Sequence, residues 1–294
     1  MVLAILHHDA DGIFSLALLY RKFEEVKPYF TSPVRLKRTL CKVIEENDSE
    51  NTLYISDLAG NPSLVRLASY FGKVIWVDHH IWDKIEEVNN VKLIIKNSPS
   101  ATRILAEELG IKDEKLLEII DFIDTNRKNG KAEFIRDLVG AIKWKYYKDQ
   151  YLLFDKIAKE ISEDIEKVLN SAFYNSLVKS FREWLTENSK DLFSKMRYYR
   201  IDDKNCIFFI LDKRIPTYYI MDFMEEKINE KFDYIFVIYE GYPIRIEIRT
   251  QKNKDVYSIA KELGGGGRKE AAGATVKETD VLEVINKILN ILKK

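Results

Sequence analysis

Short apolar runs that stop on a polar cluster and give way to a helix-period pattern recur through the first hundred residues. Val2-Leu3-Ala4-Ile5-Leu6 stops on His7-His8-Asp9-Ala10-Asp11-Gly12, and Thr52-Leu53-Tyr54-Ile55-Ser56 stops on Asp57-Leu58-Ala59-Gly60. Lys73-Val74-Ile75-Trp76-Val77 stops on Asp78-His79-His80. β-forming runs separated by helical stretches imply strands joined by crossovers, hence a parallel sheet covered on both faces. Further strands are expected at 27–31 and 91–95. Helices are expected at 13–25 and 35–47, from Asn61-Pro62 to Gly72, from Ser98-Pro99 to Gly110, and beyond a capping Asp113.

Sites in open α/β sheets form at the carboxyl ends of strands, where the polar clusters fall. The chain has 4 histidines, and all of them, His7, His8, His79 and His80, lie in two of these strand-end clusters. With Asp9, Asp11, Asp57 and a downstream Asp they make a mixed imidazole and carboxylate set, enough for two divalent ions sharing a carboxylate. Such ligands suit manganese, or magnesium or cobalt, and the lack of thiolates disfavours a dedicated zinc site. Asp78, ahead of the histidine pair, is placed to orient an imidazole. Asp11 and Asp57 also have ordinary readings, as a helix cap and a turn residue, and His8 points away from His7 if strand geometry persists.

At 294 residues the chain is long enough for two domains. Its 47 basic and 47 acidic residues balance to a formal charge of +0, which argues against non-specific polyanion binding and in favour of a short or locally held nucleic acid. The 2 cysteines, Cys41 and Cys206, lack metal-like spacing. No window approaches the roughly 20 apolar residues of a membrane span, and the N-terminus opens on a strand pattern without signal-peptide regions, so a cytoplasmic location is expected.

Residues 151–186 are helical by period, with a stripe of Phe154, Ile157, Ile161, Ile165, Val168 and Leu169 that suits either interdomain packing or a homodimer interface. From about residue 200 the second half supplies strands at 206–211, 234–239 and 244–249 and a helix opened by Pro216. In the 244–249 strand, strict alternation turns isoleucines inward and Arg245, Glu247 and Arg249 to one polar face. A helix at 256–262 precedes Gly264-Gly265-Gly266-Gly267-Arg268 and Ala271-Ala272-Gly273-Ala274, and an amphipathic helix at 279–292 follows.

The motifs His7-x-Asp9-x-Asp11-Gly12, Asp57-Leu58-Ala59 and Asp78-His79-His80 resemble those of the DHH phosphoesterase superfamily, in an archaeal-looking RecJ/nanoRNase-like branch. The Gly264–Arg268 and Ala271–Ala274 segments are similar to the DHH-associated nucleic-acid-binding domain. The resemblance implies a parallel-sheet DHH domain over 1–150, a helical connector over 151–199 and a smaller C-terminal α/β substrate-binding domain over 200–294.

Carried over position by position, it implies that His7, Asp9 and Asp57 hold one metal and that Asp11, Asp57, His79 and Asp124 hold the other. Asp121 is the alternative to Asp124. His80 would contact the scissile phosphate. Gly265, Gly266, Gly267, Arg268 and Arg249 would bind a neighbouring one, with Arg268 standing where the family usually has His. The implied activity is a manganese-dependent phosphodiesterase that hydrolyses short single-stranded RNA or DNA to mononucleotides with a water activated by two metals, in a cleft between the domains. Three alternatives stay open: a cyclic or linear dinucleotide phosphodiesterase, an adenosine 3′,5′-bisphosphate phosphatase, and a non-catalytic nucleic-acid-binding subunit of a replication or repair assembly.

Overall fold

β1 (Val2–His7) forms because its apolar residues are buried from both sides, as the central strand of a parallel sheet requires. The structure, a computed structural model, describes residues 1–293. After β1 come α1 (Ala10–Lys22), β2 (Val26–Thr31), α2 (Leu36–Glu46), β3 (Thr52–Ser56), α3 (Pro62–Ala68), β4 (Lys73–Asp78) and β5 (Val91–Ile95). Helices α4 (Ala101–Leu109), α5 (Glu114–Asp124), α6 (Gly130–Lys145), α7 (Gln150–Glu163), α8 (Ile165–Leu169) and α9 (Ala172–Asn188) follow. The sheet order is β2-β1-β3-β4-β5 with every pairing parallel. Chain order reverses at β1 and β3, which opens a crevice at their carboxyl ends.

α1 starts at Ala10, earlier than the expected residue 13. The Asp9 side chain accepts from Gly12 N at 3.2 Å and caps the helix, so the turn out of β1 is made by His8 and Asp9. Gly12 therefore lies inside the first helical turn. A Cβ there would sit 1.9 Å from the His7 carbonyl oxygen, so its lack of a side chain lets α1 lie against the end of β1. Similarly, α4 is capped by the Ser100 side chain, which accepts from Arg103 N, rather than by Ser98-Pro99.

The chain divides into two compact units, Met1–Arg182 and Glu183–Lys294, so the break falls within α9. The helical stretch expected over 151–186 is three helices, interrupted at Asp164, whose side chain caps α8, and at Asn170-Ser171. Most of the apolar stripe packs inside the first unit: α7 packs along α1, and Phe154, Ile157, Ile161 and Val168 are fully buried, while Ile165 and Leu169 stay partly exposed.

The second unit contains β6 (Met196–Ile201), β7 (Lys204–Leu211), α10 (Thr217–Lys227), β8 (Tyr234–Tyr239), β9 (Ile244–Arg249), α11 (Tyr257–Glu262), β10 (Gly266–Gly267), β11 (Ala271–Val276) and α12 (Val281–Leu292). Its sheet is mixed, in the order β10-β11-β9-β8-β7-β6, with β7 and β8 parallel and the rest antiparallel. Ile244, Ile246 and Ile248 of β9 join Phe208, Phe236 and the inner faces of α11 and α12 in one core. β6 is an edge strand that the sequence reading omitted, since Met196-Arg197-Tyr198-Tyr199-Arg200-Ile201 carries little apolar contrast. No helix among the described residues is long and apolar enough to cross a membrane.

Candidate active site

The crevice at the carboxyl ends of β1, β3 and β4 gathers three groups of metal-ligating atoms, each within 4.8 Å of one another. His7, Asp9 and Asp57 form the first, Asp11, His79 and Asp124 the second, and Asp57, Asp78, His79 and His80 the third. His7 Nδ1 lies 2.5 Å from Asp9 Oδ2 and 3.0 Å from Asp57 Oδ2. His79 Nε2 lies 3.3 Å from Asp57 Oδ1, 3.6 Å from Asp124 Oδ2 and 4.0 Å from Asp11 Oδ2. Asp57 thus turns one carboxylate oxygen to each of the first two groups.

Backbone geometry fixes Asp57. It is 3% exposed, has φ +60°, and its N–H donates to the Val77 carbonyl at 3.2 Å. Asp is among the few side chains that enter this left-handed region readily, and such conformations gather at functional sites.

The remaining carboxylates differ in their supports. Both oxygens of Asp11 are held by the start of α4: Oδ2 accepts from Ala101 N at 2.7 Å, and Oδ1 from Thr102 N at 2.8 Å and Thr102 Oγ1 at 2.5 Å. Asp124 faces His79, whereas Asp121 accepts from Ser100 Oγ at 2.7 Å and Arg103 Nε at 2.6 Å. The two positions share a helix but not a task.

The imidazoles are oriented from behind. His79 Nδ1 donates to the Ser98 carbonyl at 3.2 Å, so its Nε2 is the atom aimed at the carboxylates. His80 Nδ1 lies 2.7 Å from Asp78 Oδ1, and Asp78 Oδ2 accepts from Trp82 Nε1 at 2.6 Å. Asp78 is fully buried. Trp82, whose ring meets Trp76 edge-on at 5.2 Å, was not singled out from the sequence. No local rule signals it, because residues 79–87 form neither helix nor strand. The His8 ring stacks on His7 at 5.1 Å and on Tyr151 at 6.3 Å.

The electrostatics show a site short of positive charge. Burial pulls His7 down, but the charges and hydrogen bonds of Asp9 and Asp57 outweigh it and push the imidazole up to about 10. Burial likewise opposes His79, and Asp57, Asp124 and Asp11 raise it to about 10. Burial and the charges of Asp57 and Asp124 push Asp11 well above the usual carboxylate range. Burial works against the Asp57 anion too, yet hydrogen bonds from His7 and His79 hold its carboxyl well below that range.

The donor set therefore fits divalent cations. With its Nδ1–H spent on Ser98, a neutral His79 aims a lone pair at three carboxylates, an arrangement that only a proton or a metal ion between them relieves. The ligands are oxygens and imidazole nitrogens without thiolates, as manganese, magnesium or cobalt prefer.

In the second unit the glycine run is mostly structural. Gly264 N and Gly265 N donate to the carbonyls of Lys261 and Ala260, closing α11. A Cβ on Gly265 would sit 2.0 Å from Gly273 O, and one on Gly267 2.6 Å from Ala271 O, so both glycines let β10 lie against β11. Gly266 has open space where its Cβ would be. Arg268 N donates to Ala271 O at 2.8 Å, and Arg249 Nη2 lies 3.2 Å from Glu247 Oε2.

Residues 218–294 match the DHHA1 domain family. No curated protein matches the chain by sequence. The pGpG-specific phosphodiesterase PggH from Vibrio cholerae is similar in structure, with 15% identity and a TM-score of 0.63 over 99% of each chain. The DHH domain of a member of a family of ribosomal proteins has 14% identity and a TM-score of 0.65 over 100% of this chain and 86% of that one. Exonuclease RecJ bound to manganese has 17% identity and a TM-score of 0.53 over 99% of this chain and 89% of that one. At these identities the likeness is one of fold.

Proposed function

We propose that the chain, whose residues 218–294 match the DHHA1 domain family, is a DHH-superfamily phosphodiesterase that depends on divalent metal and cuts short single-stranded RNA or DNA to mononucleotides. One observation carries this reading: Asp57, in a left-handed backbone conformation between β1 and β4, offers one oxygen to the His7/Asp9 group and the other to the His79 group. A shared carboxylate is what two adjacent ions need. His7, Asp9 and Asp57 would hold one ion, and Asp11, Asp57, His79 and Asp124 the other, with manganese the expected metal. Two such ions supply an activated water and Lewis-acid charge on the phosphoryl oxygens.

The chain's own residues do the rest. Asp78 holds His80 through Nδ1, and its charge, with that of Asp57, outweighs burial to raise the His80 imidazole. These contacts favour the protonated His80, whose Nε2 would donate to a phosphoryl oxygen, where charge grows as the bond breaks. The α4 N-terminus fixes Asp11, and Ser98 fixes His79, so neither reorganises when substrate arrives. Arg249 and Arg268 of the second unit would bind a phosphate of the substrate.

A linear dinucleotide as the preferred substrate is favoured by the likeness to a pGpG-specific phosphodiesterase along nearly the full length of both chains. Hydrolysis of end-labelled RNA and DNA oligomers of about two to twenty nucleotides with manganese tests the proposal. Mononucleotide release that EDTA abolishes is expected. Metal-loaded protein that cleaves none of the oligomers would overturn it.

A further inference from the structure

Aromatic rings wall the β2 side of the crevice. From His7 the stack passes to His8 and on to Tyr151 of α7, whose ring also lies 5.9 Å from that of Phe30 in a stacked arrangement. His8 N donates to the Thr31 carbonyl at 3.1 Å, so this wall stands where β1 and β2 end, beside the first metal group. All of it belongs to the first compact unit.

Tyr151 follows Lys143-Trp144-Lys145-Tyr146-Tyr147-Lys148, in which cations and aromatic rings interleave. No residue of this segment enters the metal groups. Trp144 packs on Phe181 and Tyr146 on Phe173, both of α9. Tyr147 is instead 59% exposed and has no ring partner among the described residues. Its backbone is pinned from below, because the buried Gln150 donates from Nε2 to Tyr147 O at 2.7 Å. Lys145 and Lys148 are exposed and make no ion pair among the described residues, and Asp149 is the one carboxylate over residues 143–151.

A further cation approaches from α2. Arg35 lies one helical turn before Thr39, whose hydroxyl is 2.8 Å from that of Thr31, so it shares the face of α2 that turns to the end of β2. It is exposed, and its guanidinium makes no ion pair among the described residues. Burial raises the Tyr151 hydroxyl above its ordinary value, while the Arg35 charge lowers it and that of Tyr147 raises it, which places both side chains within electrostatic reach of Tyr151. An exposed ring stacks any base, and unpaired cations beside it meet the backbone of a single strand. An acidic protein surface would satisfy the cations but leave the ring unused.

We propose that Tyr147 and Arg35 form a subsite for the part of a single strand that runs past the scissile phosphate, Tyr147 stacking a base and Arg35 holding a phosphate. The inference extends the phosphodiesterase reading by giving the first unit its own grip on oligomers longer than a dinucleotide. Its test reads binding as well as turnover, so the two stand or fall separately.

Fluorescence anisotropy of labelled hexa-adenylate with the full chain in EDTA measures affinity without hydrolysis. Tyr147→Ala and Arg35→Gln should each weaken binding roughly tenfold, and Tyr147→Phe should bind as the wild type does. Arg35→Gln should also reduce the slope of log affinity against log salt by roughly 0.7, which Tyr147→Ala should leave unchanged. Lys73→Gln, exposed at the opposite end of the sheet, should bind normally. With manganese, Tyr147→Ala and Arg35→Gln should each raise KM for hexa-adenylate roughly tenfold and leave diadenylate unaffected.

Wild-type protein that does not bind hexa-adenylate, variants that bind it normally, or equal KM losses on both substrates would overturn the subsite. Wild-type protein that binds hexa-adenylate through Tyr147 and Arg35 yet cleaves nothing with manganese would overturn the phosphodiesterase reading and leave the subsite standing. Both side chains are exposed, so thermal melts of the variants should match the wild type.

Discussion

Asp78→Asn separates a residue that ligates metal from one that aims an imidazole. Asp78 belongs to a cluster of potential ligands, yet its oxygens are committed to His80 Nδ1 at 2.7 Å and Trp82 Nε1 at 2.6 Å. The Asn side chain retains one acceptor, so one of the two donors is left facing an amide N–H. A hydrogen bond to a charged group contributes about 1.5–3 kcal/mol. A loss of about 2 kcal/mol felt in the transition state is roughly a 30-fold fall in kcat. Metal content should stay at two ions per chain.

The pH profile gives a second reading. Burial lowers His80, and the Asp78 charge raises it above its ordinary value. Without that charge the imidazole falls back, so its proton is lost at a lower pH. The alkaline limb of kcat should therefore move toward acid in the variant. Elemental analysis of the loaded protein and rates across the pH range supply both quantities. Loss of an ion would make Asp78 a ligand, and an unshifted profile with normal kcat would remove His80 from the chemistry.

Gly12→Ala should cost about 3 kcal/mol, because the new Cβ would lie 1.9 Å from the His7 carbonyl and something must shift. Thermal melts should show a drop of roughly 10 °C, and an unchanged melting temperature would contradict the close approach. In the metal-free protein His7 and His79 are protonated up to about pH 10, and metals bind neutral imidazole. Loading manganese near neutral pH should release at least the two histidine protons, with affinity rising as pH rises; calorimetry in buffers of different ionisation enthalpy counts them. The same raised values stabilise the metal-free fold fully below the unfolded histidine value, and this contribution is lost as pH rises through about 10. Asp233 is held below the usual carboxylate range: burial opposes this, but the Asn205 N–H and Lys252 outweigh it. Its contribution is present above the unfolded carboxylate value and lost as pH falls through the folded one, so the stability gap between wild type and Asp233→Asn should close below about pH 4 in thermal melts.

The gathering of the candidate ligands was legible because strand ends in a parallel sheet converge, and polar clusters after β1, β3 and β4 mark those ends. The division of labour within each cluster was not. Spacing put Asp121 and Asp124 on neighbouring helical positions, and it is Arg103 and Ser100, from α4 and its cap, that draw Asp121 away from His79. Asp9 caps α1 while Asp11 binds the start of α4, a contact across ninety residues that no local rule reveals. The glycine run read as a phosphate cradle because sequence shows only the missing side chains. The structure shows that β11 occupies the space beside Gly265 and Gly267. Glu247 was visible as a polar-face residue, but its anchor, Thr217, lies on another element.

The central claim is that Asp57 joins two metal groups. Anomalous diffraction from manganese-soaked crystals tests it most directly. Two peaks about 3.5–4 Å apart are expected, one beside His7 and Asp9 and one beside Asp11, His79 and Asp124, each contacting a different oxygen of Asp57. A single peak, or two peaks that leave Asp57 without contact to either ion, would contradict the account.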